Sequence, residues 1–300
     1  MINCRMERGE SQVSDSIEQR IKHLSKSVRE LALIGAWLKL QSGKTVEPLV
    51  REQVELGARM AFGFDPPTLA EEQAEPLLTT IGMALAESGE LFNSPERGAN
   101  WQVADVELLR TQGRASRSVV NRILSLAESR PAMQEALKGA FLDVGTGVAG
   151  IALEAAKTCP NLQVDGIDIW DPALAIAEEN VRESPYADRV RIMKLDVANL
   201  DVQKRYTLVW LPTMFLSRSV LERALDRIAA ASKSGAYLIA AIYTLPEDPF
   251  MAVVSTLRTI RSGGEVSSPS ELEAMLKSRG YANLERNVAP IATLVVGKLP

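Results

Sequence analysis

The residues with chemistry to offer gather first in one stretch, Asp143-Val144-Gly145-Thr146-Gly147-Val148-Ala149-Gly150, where an apolar run breaks into closely spaced glycines. Phe141 to Val144 reads as a strand, the glycines as a tight turn, and Ile151 to Lys157 as a helix. Gly145 and Gly147 let the main chain take conformations closed to other residues and let a ligand lie against the backbone. Gly150 is expected to let the helix pack closely on the strand. Such a turn suits a nucleotide-like ligand. A second carboxylate, Asp168, closes the apolar segment Leu162-Gln163-Val164-Asp165-Gly166-Ile167, eighteen residues beyond Gly150. At a strand end it can accept hydrogen bonds from both hydroxyls of a ribose, which supports nucleoside binding without choosing the nucleoside.

The spacing Gly145-x-Gly147-x-x-Gly150 also fits a dinucleotide site, and Asp143, two places before the first glycine, discriminates. A carboxylate there repels a pyrophosphate but favours a ligand bearing sulfonium and ammonium groups. At these residues the chain resembles the class I S-adenosylmethionine-dependent methyltransferases, whose first motif is an acid followed by x-Gly-x-Gly. The resemblance covers roughly Gly139 to Pro300 and implies S-adenosyl-L-methionine as cofactor. It places Asp143, Gly145, Thr146 and Gly147 in the first motif, and Asp168 with Ile169 at the second strand end. Asp196 and Val197 follow near the adenine amino group, and Leu211 and Pro212 flank the methyl group. Ile169 and Trp170 are placed to pack on the adenine. Upstream, Gln112, Arg114, Ser116 and Arg117 offer donors, and Gln112 and Arg117 are the candidates for the carboxylate of the methionine moiety.

On the acceptor side stand Thr213, Met214 and Phe215, with Tyr243 as the catalytic candidate and Glu247 and Asp248 as weaker bases. The fourth strand, Tyr206 to Pro212, runs on as Thr213-Met214-Phe215. It therefore lacks the Asn- or Asp-Pro-Pro-aromatic motif of many amino-group methylases of DNA and proteins. Methyl transfer from a sulfonium is an in-line displacement of an activated leaving group, so orientation and water exclusion are the protein's main tasks. Carbon, nitrogen and oxygen acceptors stay open. Two rival readings are a nicotinamide-dependent oxidoreductase and a non-catalytic S-adenosylmethionine-binding protein. The first is opposed by Asp143 and by the lack of a Tyr-x-x-x-Lys or His pair.

These residues need elements to hold them. After the glycine turn, apolar strands near 162–168, 189–197, 206–212 and 236–243 alternate with helical patterns near 172–177, 220–231, 249–260 and 270–279, and a strand pair near 282–288 and 291–297 closes the chain. Asp171 is the expected N-cap before Pro172. Alternation of this kind predicts an α/β fold with a doubly wound, mostly parallel seven-stranded sheet, its terminal hairpin at an edge. Before Phe141 no period-two alternation occurs. Ile17, Ile21, Leu24, Val28 and Leu31 form a helical stripe, helical patterns follow across Ala32 to Arg59 and near 69–88, and another begins at Val103-Ala104-Asp105. The expected organisation is a helical cap over 1–138 and a cofactor-binding domain over 139–300. The resemblance extends this to small-molecule methyltransferases of bacterial secondary metabolism, whose helical caps lid the substrate pocket and often pair two chains as a homodimer.

Composition narrows the partners. Three hundred residues at 46% hydrophobic content can build two modest cores. The formal charge is −4, and 17 basic face 19 acidic residues on each side of the Lys138 boundary, so neither part has the basic excess of a nucleic-acid binder. Cys4 and Cys159 are far apart and form no disulfide or metal pattern, which fits a reducing, cytoplasmic setting. No apolar stretch is long enough for a bilayer. The single histidine, His23, falls on a charged helical pattern and reads as solvent-facing. A small-molecule substrate, without nucleic acid, membrane or metal, is the expectation.

Overall fold

The structure, a computed structural model, describes residues 3–41, 43, 45–99 and 106–300, with side chains described from residue 16 onward. The helix start expected at Val103-Ala104-Asp105 and the side chain of Cys4 lie outside the described residues. The chain divides into two compact units, Met1–Pro95 and Glu96–Pro300.

The first unit is helical: α1 (Asn3–Gln41), α2 (Pro48–Phe62) and α3 (Glu71–Asn93). Glu47 caps α2 by accepting from the amides of Leu49 and Val50 at 3.1 and 3.0 Å, and Gly63 ends it in the left-handed region, its amide on the Arg59 carbonyl. Leu38, Ala74 and Ile81 form a small core with Leu31, Trp37 and Leu78. Gly35 lets α1 and α3 close up, since a Cβ there would meet Ile81 Cγ2 at 3.1 Å. Of the apolar stripe, Leu31 joins this core, whereas Ile17, Ile21, Leu24 and Val28 are exposed.

The second unit opens with α4 (Val106–Ser116), α5 (Ser118–Glu128) and α6 (Pro131–Ala136). It continues as β1 (Ala140–Val144), α7 (Gly150–Thr158), β2 (Gln163–Asp168), α8 (Asp171–Arg182), β3 (Val190–Lys194), β4 (Tyr206–Pro212), α9 (Arg218–Ala231) and β5 (Ser232–Tyr243). Then come α10 (Pro249–Arg261), α11 (Pro269–Lys277), β6 (Ala282–Asn287) and β7 (Ala292–Lys298). The seven strands lie in the order β3-β2-β1-β4-β5-β7-β6; β1 to β5 are parallel, and β7 runs antiparallel between β5 and β6. This is the doubly wound sheet with an edge hairpin expected from the alternation.

Both faces are covered, which is why the strands are apolar almost throughout. Along β4 and β5, Leu208, Trp210, Ile239 and Ala241 enter the core shared with α5 and α7, while Val209, Leu211, Leu238 and Ala240 enter the core shared with α9 and α11. The sheet-bearing unit begins at Glu96, upstream of the limit expected at Lys138. The physical reason is that α4 to α6 bury Leu109, Val120, Ile123 and Met133 against the sheet's own helices and strands. Helical periodicity identifies an apolar face but not its partner. β5 begins at Ser232, before the limit expected near 236, and Gly235 has φ 84 as an irregularity inside it.

Candidate functional site

The strand order reverses at β1, whose neighbours are β2 on one side and β4 on the other, and open parallel sheets bind ligands outside the carboxyl ends of their strands at such a switch point. The glycine turn lies there. Gly145 and Gly147 have φ values of 65 and 56. A Cβ on Gly145 would meet Pro212 Cγ at 3.4 Å, placing the end of β4 against the turn. Around the missing Cβ of Gly147 no described residue comes within 4 Å, which leaves room for a ligand against the main chain. Ala149 takes the left-handed region as well, φ 65, and its amide closes the turn on the Thr146 carbonyl at 2.9 Å.

Three hydrogen bonds and two close approaches hold this turn. Thr146 donates its amide to the Ile167 carbonyl at 3.0 Å, and Gly147 donates its amide to Asp168 Oδ2 at 2.9 Å. Asn180 on α8 donates to the Val148 carbonyl at 2.9 Å. From the other side, a Cβ on Gly150 would meet the Gly113 carbonyl oxygen at 2.2 Å and one on Gly113 would meet Val148 Cγ2 at 2.1 Å. The close partner of Gly150 is thus α4 rather than the strand, a correction to the sequence reading. Gly113 and Asn180 went unnoticed in the sequence because their roles depend on contacts across α4 and α8.

Asp143 is wholly buried. Its Oδ2 accepts from the Thr146 hydroxyl at 2.7 Å, while Oδ1 is a buried atom with no hydrogen-bond partner among the described residues. Burial pushes its carboxyl up to about 7, and nearby Asp168 adds to this; the Thr146 hydroxyl and the Ala152 amide in the first turn of α7 oppose it. The turn therefore rests on a carboxylate that a neighbouring cation would stabilise. Asp143 exerts that influence from beneath the turn, not as a group facing open solvent.

Asp168 ends β2 and carries three amides: Gly147 on Oδ2, and Ile169 and Trp170 on Oδ1 at 2.7 and 3.0 Å. A carboxylate offers about four acceptor positions, so one is left for a direct ribose contact instead of the two expected. Removing the side chain would also strand these three backbone donors, so Asp168 supports the fold as well as any ligand. Trp170, not Asp171, is the N-cap of α8, and Asp171 lies inside the helix, paired with Lys194 at 2.7 Å.

Asp196 caps the short 3-10 turn Val197–Asn199 through the Ala198 amide at 2.9 Å, and Val197 is buried beside it. Leu211 is buried at the end of β4, followed by Thr213, whose hydroxyl donates to the Ala241 carbonyl at 2.9 Å, and by buried Met214. A Cβ on Gly264 would fall 1.9 Å from the Met214 carbonyl, so the 262–264 loop presses on this segment. Phe215 and Tyr243 meet edge to face at 6.4 Å, and Arg258 lies 5.3 Å from the Tyr243 ring centre. Ile169 is exposed, while Trp170 packs on Leu109, Val148, Ala173 and Ile176.

Several expected residues sit differently. Arg114 is engaged by Glu107 and Thr111 on its own helix, Arg117 is exposed at the start of α5, and neither the Gln112 nor the Arg117 side chain makes a hydrogen bond among the described residues. Asp248 caps α10 through the Met251 amide at 2.8 Å, which removes it as a free base, and Glu247 is exposed. No group of three or more metal-type ligands occurs among the described residues. None of the described helices is long and apolar enough to cross a membrane.

Residues 141–235 match a family model described as a methyltransferase domain. A tRNA1(Val) (adenine(37)-N6)-methyltransferase of Tolumonas auensis is 29% identical over 90 residues, 30% of this chain, and the chain covers only 38% of that protein's length. Among solved structures, the mitomycin 7-O-methyltransferase MmcR aligns with 96% of this chain and 99% of its own at 17% identity and a TM-score of 0.58. Human N-acetylserotonin methyltransferase, determined in complex with S-adenosylmethionine, aligns with 94% of this chain and 97% of its own at 14% identity and a TM-score of 0.57. These structures share the fold. The sheet-bearing unit carries a class I S-adenosylmethionine-dependent methyltransferase domain, Rossmann-like in topology, and S-adenosylmethionine is the cofactor of that class.

Proposed function

We propose that the chain transfers the methyl group of S-adenosylmethionine to a carbon, nitrogen or oxygen atom of a small molecule, in the manner of natural-product methyltransferases. The observation that carries this reading is the glycine turn: Gly145 and Gly147 hold positive φ at the switch point, and Asp168, Asn180 and Gly113 fix the turn from three sides. S-adenosylmethionine, when bound, supplies a methyl group on a positively charged sulfur, displaced in line by the acceptor. Gly145, Thr146 and Gly147 would offer it main-chain amides and close approach. Asp168 would accept from the ribose, Asp196 and Val197 would meet the adenine, and Asp143 would favour its positive charge. Gln112, half-buried, and Arg117, exposed, neither with a side-chain hydrogen bond among the described residues, remain the candidates for its carboxylate. Leu211 and Pro212 would flank the methyl group.

Thr213, Met214, Phe215 and Tyr243 would orient the acceptor and exclude water. The only histidine of the chain, His23, lies on α1, so a hydroxyl acceptor would rely on Tyr243 or on its own acidity. The acidic balance of the chain, 38 Asp and Glu against 34 Lys and Arg, favours a small acceptor over a nucleic acid despite the tRNA-modifying relative. We further propose a homodimer through the helical unit, supported by the exposed Ile17, Ile21, Leu24 and Val28 stripe.

The test is calorimetric titration with S-adenosylmethionine, followed by transfer of isotopically labelled methyl groups to a panel of phenols, amines and enols, with bulk tRNA as a separate arm. Saturable binding and labelling of a small acceptor are expected. Binding of a nicotinamide dinucleotide instead, or labelling of tRNA alone, would overturn the reading.

A further inference from the structure

The amino ends of β2, β3 and β4 hold a charged cluster that the proposed methyl transfer does not use. Asp165 on β2 is buried and collects four hydrogen bonds. Its partner in strand register, Arg191, donates Nε at 3.0 Å and Nη2 at 3.1 Å; Arg205, just before β4, donates Nε at 2.8 Å; and the Tyr206 hydroxyl donates at 2.9 Å. Four donors fill the acceptor capacity of a carboxylate. Burial pushes the Asp165 carboxyl up, but the hydrogen bonds from Arg191, Arg205 and Tyr206 outweigh it and hold the group below its ordinary range. It is a fixed anion.

One guanidinium would neutralise that anion, and two leave a surplus positive charge. Arg189 adds a third, spending its donors on the carbonyls of Ala156, Cys159 and Leu162, none of which cancels its charge. Exposed Asp188 is the remaining carboxylate, so the cluster keeps one net positive charge. The five charged residues, Asp165, Asp188, Arg189, Arg191 and Arg205, line a single depression of about 550 Å³. The outer nitrogens, Nη1 of Arg191 and both Nη of Arg205, make no hydrogen bond among the described residues, and the Arg205 guanidinium lies 5.7 Å from the Tyr206 ring centre. Their side chains are 58% and 43% exposed yet anchored from behind by Asp165. Two pre-positioned guanidinium forks at the rim of a hollow form a receptor for a planar or tetrahedral oxyanion.

We propose that this depression binds a compact oxyanion, phosphate or the phosphate group of a small metabolite, through the outer edges of Arg191 and Arg205. The site lies at the opposite ends of the strands from the glycine turn and is independent of the methyl-transfer reading.

The test is calorimetric titration of the full chain with inorganic phosphate and with glycerol 3-phosphate at constant ionic strength, on wild type and on Arg191→Gln and Arg205→Gln separately. Each variant leaves Asp165 one arginine and Tyr206, and thermal melts identify any variant that has not folded. Saturable binding that weakens about tenfold or more in the folded variants is expected, since each loses a charge-assisted contact. Tighter binding of glycerol 3-phosphate points to a metabolite, and equal binding to free phosphate; both support the site. No saturable binding of either probe to wild type, or affinity unchanged in both variants, would overturn it.

Discussion

The Gly113 carbonyl oxygen sits 2.2 Å from where a Cβ of Gly150 would stand, so the helix before the sheet and the first helix after β1 touch main chain to main chain. The same approach places Gly113 against Val148, inside the turn that would cradle the cofactor. Gly150→Ala and Gly113→Ala should each destabilise the fold by about 1–3 kcal/mol through overpacking, and should weaken cofactor binding. Gly89→Ala is the control: it sits in α3 with open space around it, and alanine there should stabilise by about 0.5–1 kcal/mol. Urea unfolding of the three variants checks the pattern, and tolerance of Gly150→Ala would contradict the contact.

Asp168→Ala should produce two separable losses. Three stranded amides predict a drop in stability of about 1–3 kcal/mol, read from thermal melts without ligand. A lost ribose contact predicts about ten- to a hundredfold weaker S-adenosylmethionine binding by calorimetry. Unchanged affinity in a folded variant would reject the ribose role and leave Asp168 as a structural clamp.

Asp143 gives stability a pH dependence of definite sign. Its folded carboxyl titrates near 7 against an ordinary value of 3.8, so the folded state holds the extra proton between these limits. The associated stability is fully present below about 3.8, falls as pH rises toward 7, and is lost above it. Asp143→Asn removes the titration. In urea unfolding at pH 4 and pH 8, the variant should gain on wild type at the higher pH; a pH-independent difference would show that the carboxylate is not forced into a dry site.

Asn180→Ala removes the donor to the Val148 carbonyl, from a residue 32 positions away in the chain. A loss of about 1 kcal/mol in stability is expected, with weaker cofactor binding because the turn is less well held. Equal cofactor affinity in Asn180→Ala would show that the remaining contacts suffice.

Tyr243→Phe tests the acceptor side. The ring contacts with Phe215 and Arg258 survive the change, so the fold should hold. If the hydroxyl moves the proton of the acceptor, kcat falls with little change in cofactor affinity. Wild-type kcat on the identified acceptor would confine Tyr243 to packing.

The sequence by itself determined the fold class, because a doubly wound sheet writes itself as apolar runs alternating with helical periods. It also located the glycine turn and the strand-end acid Asp168, because both are marked by spacing along the β1-turn-α7-β2 segment, whereas Asp196 was reached only through the family resemblance. What only the tertiary structure decided lies across elements. Periodicity showed that α4 to α6 have an apolar face, but not that this face belongs to the sheet. The Gly150–Gly113 contact, the Asn180 clamp and the Asp165–Arg191–Arg205 cluster join residues far apart in the chain, where no local pattern marks them. Even Asp168, legible as a strand-end acid, revealed its occupied acceptor positions only when the neighbouring amides were in place. Hydrogen bonding is a property of directions in space, and spacing along a chain carries that information only where secondary structure makes the two equivalent.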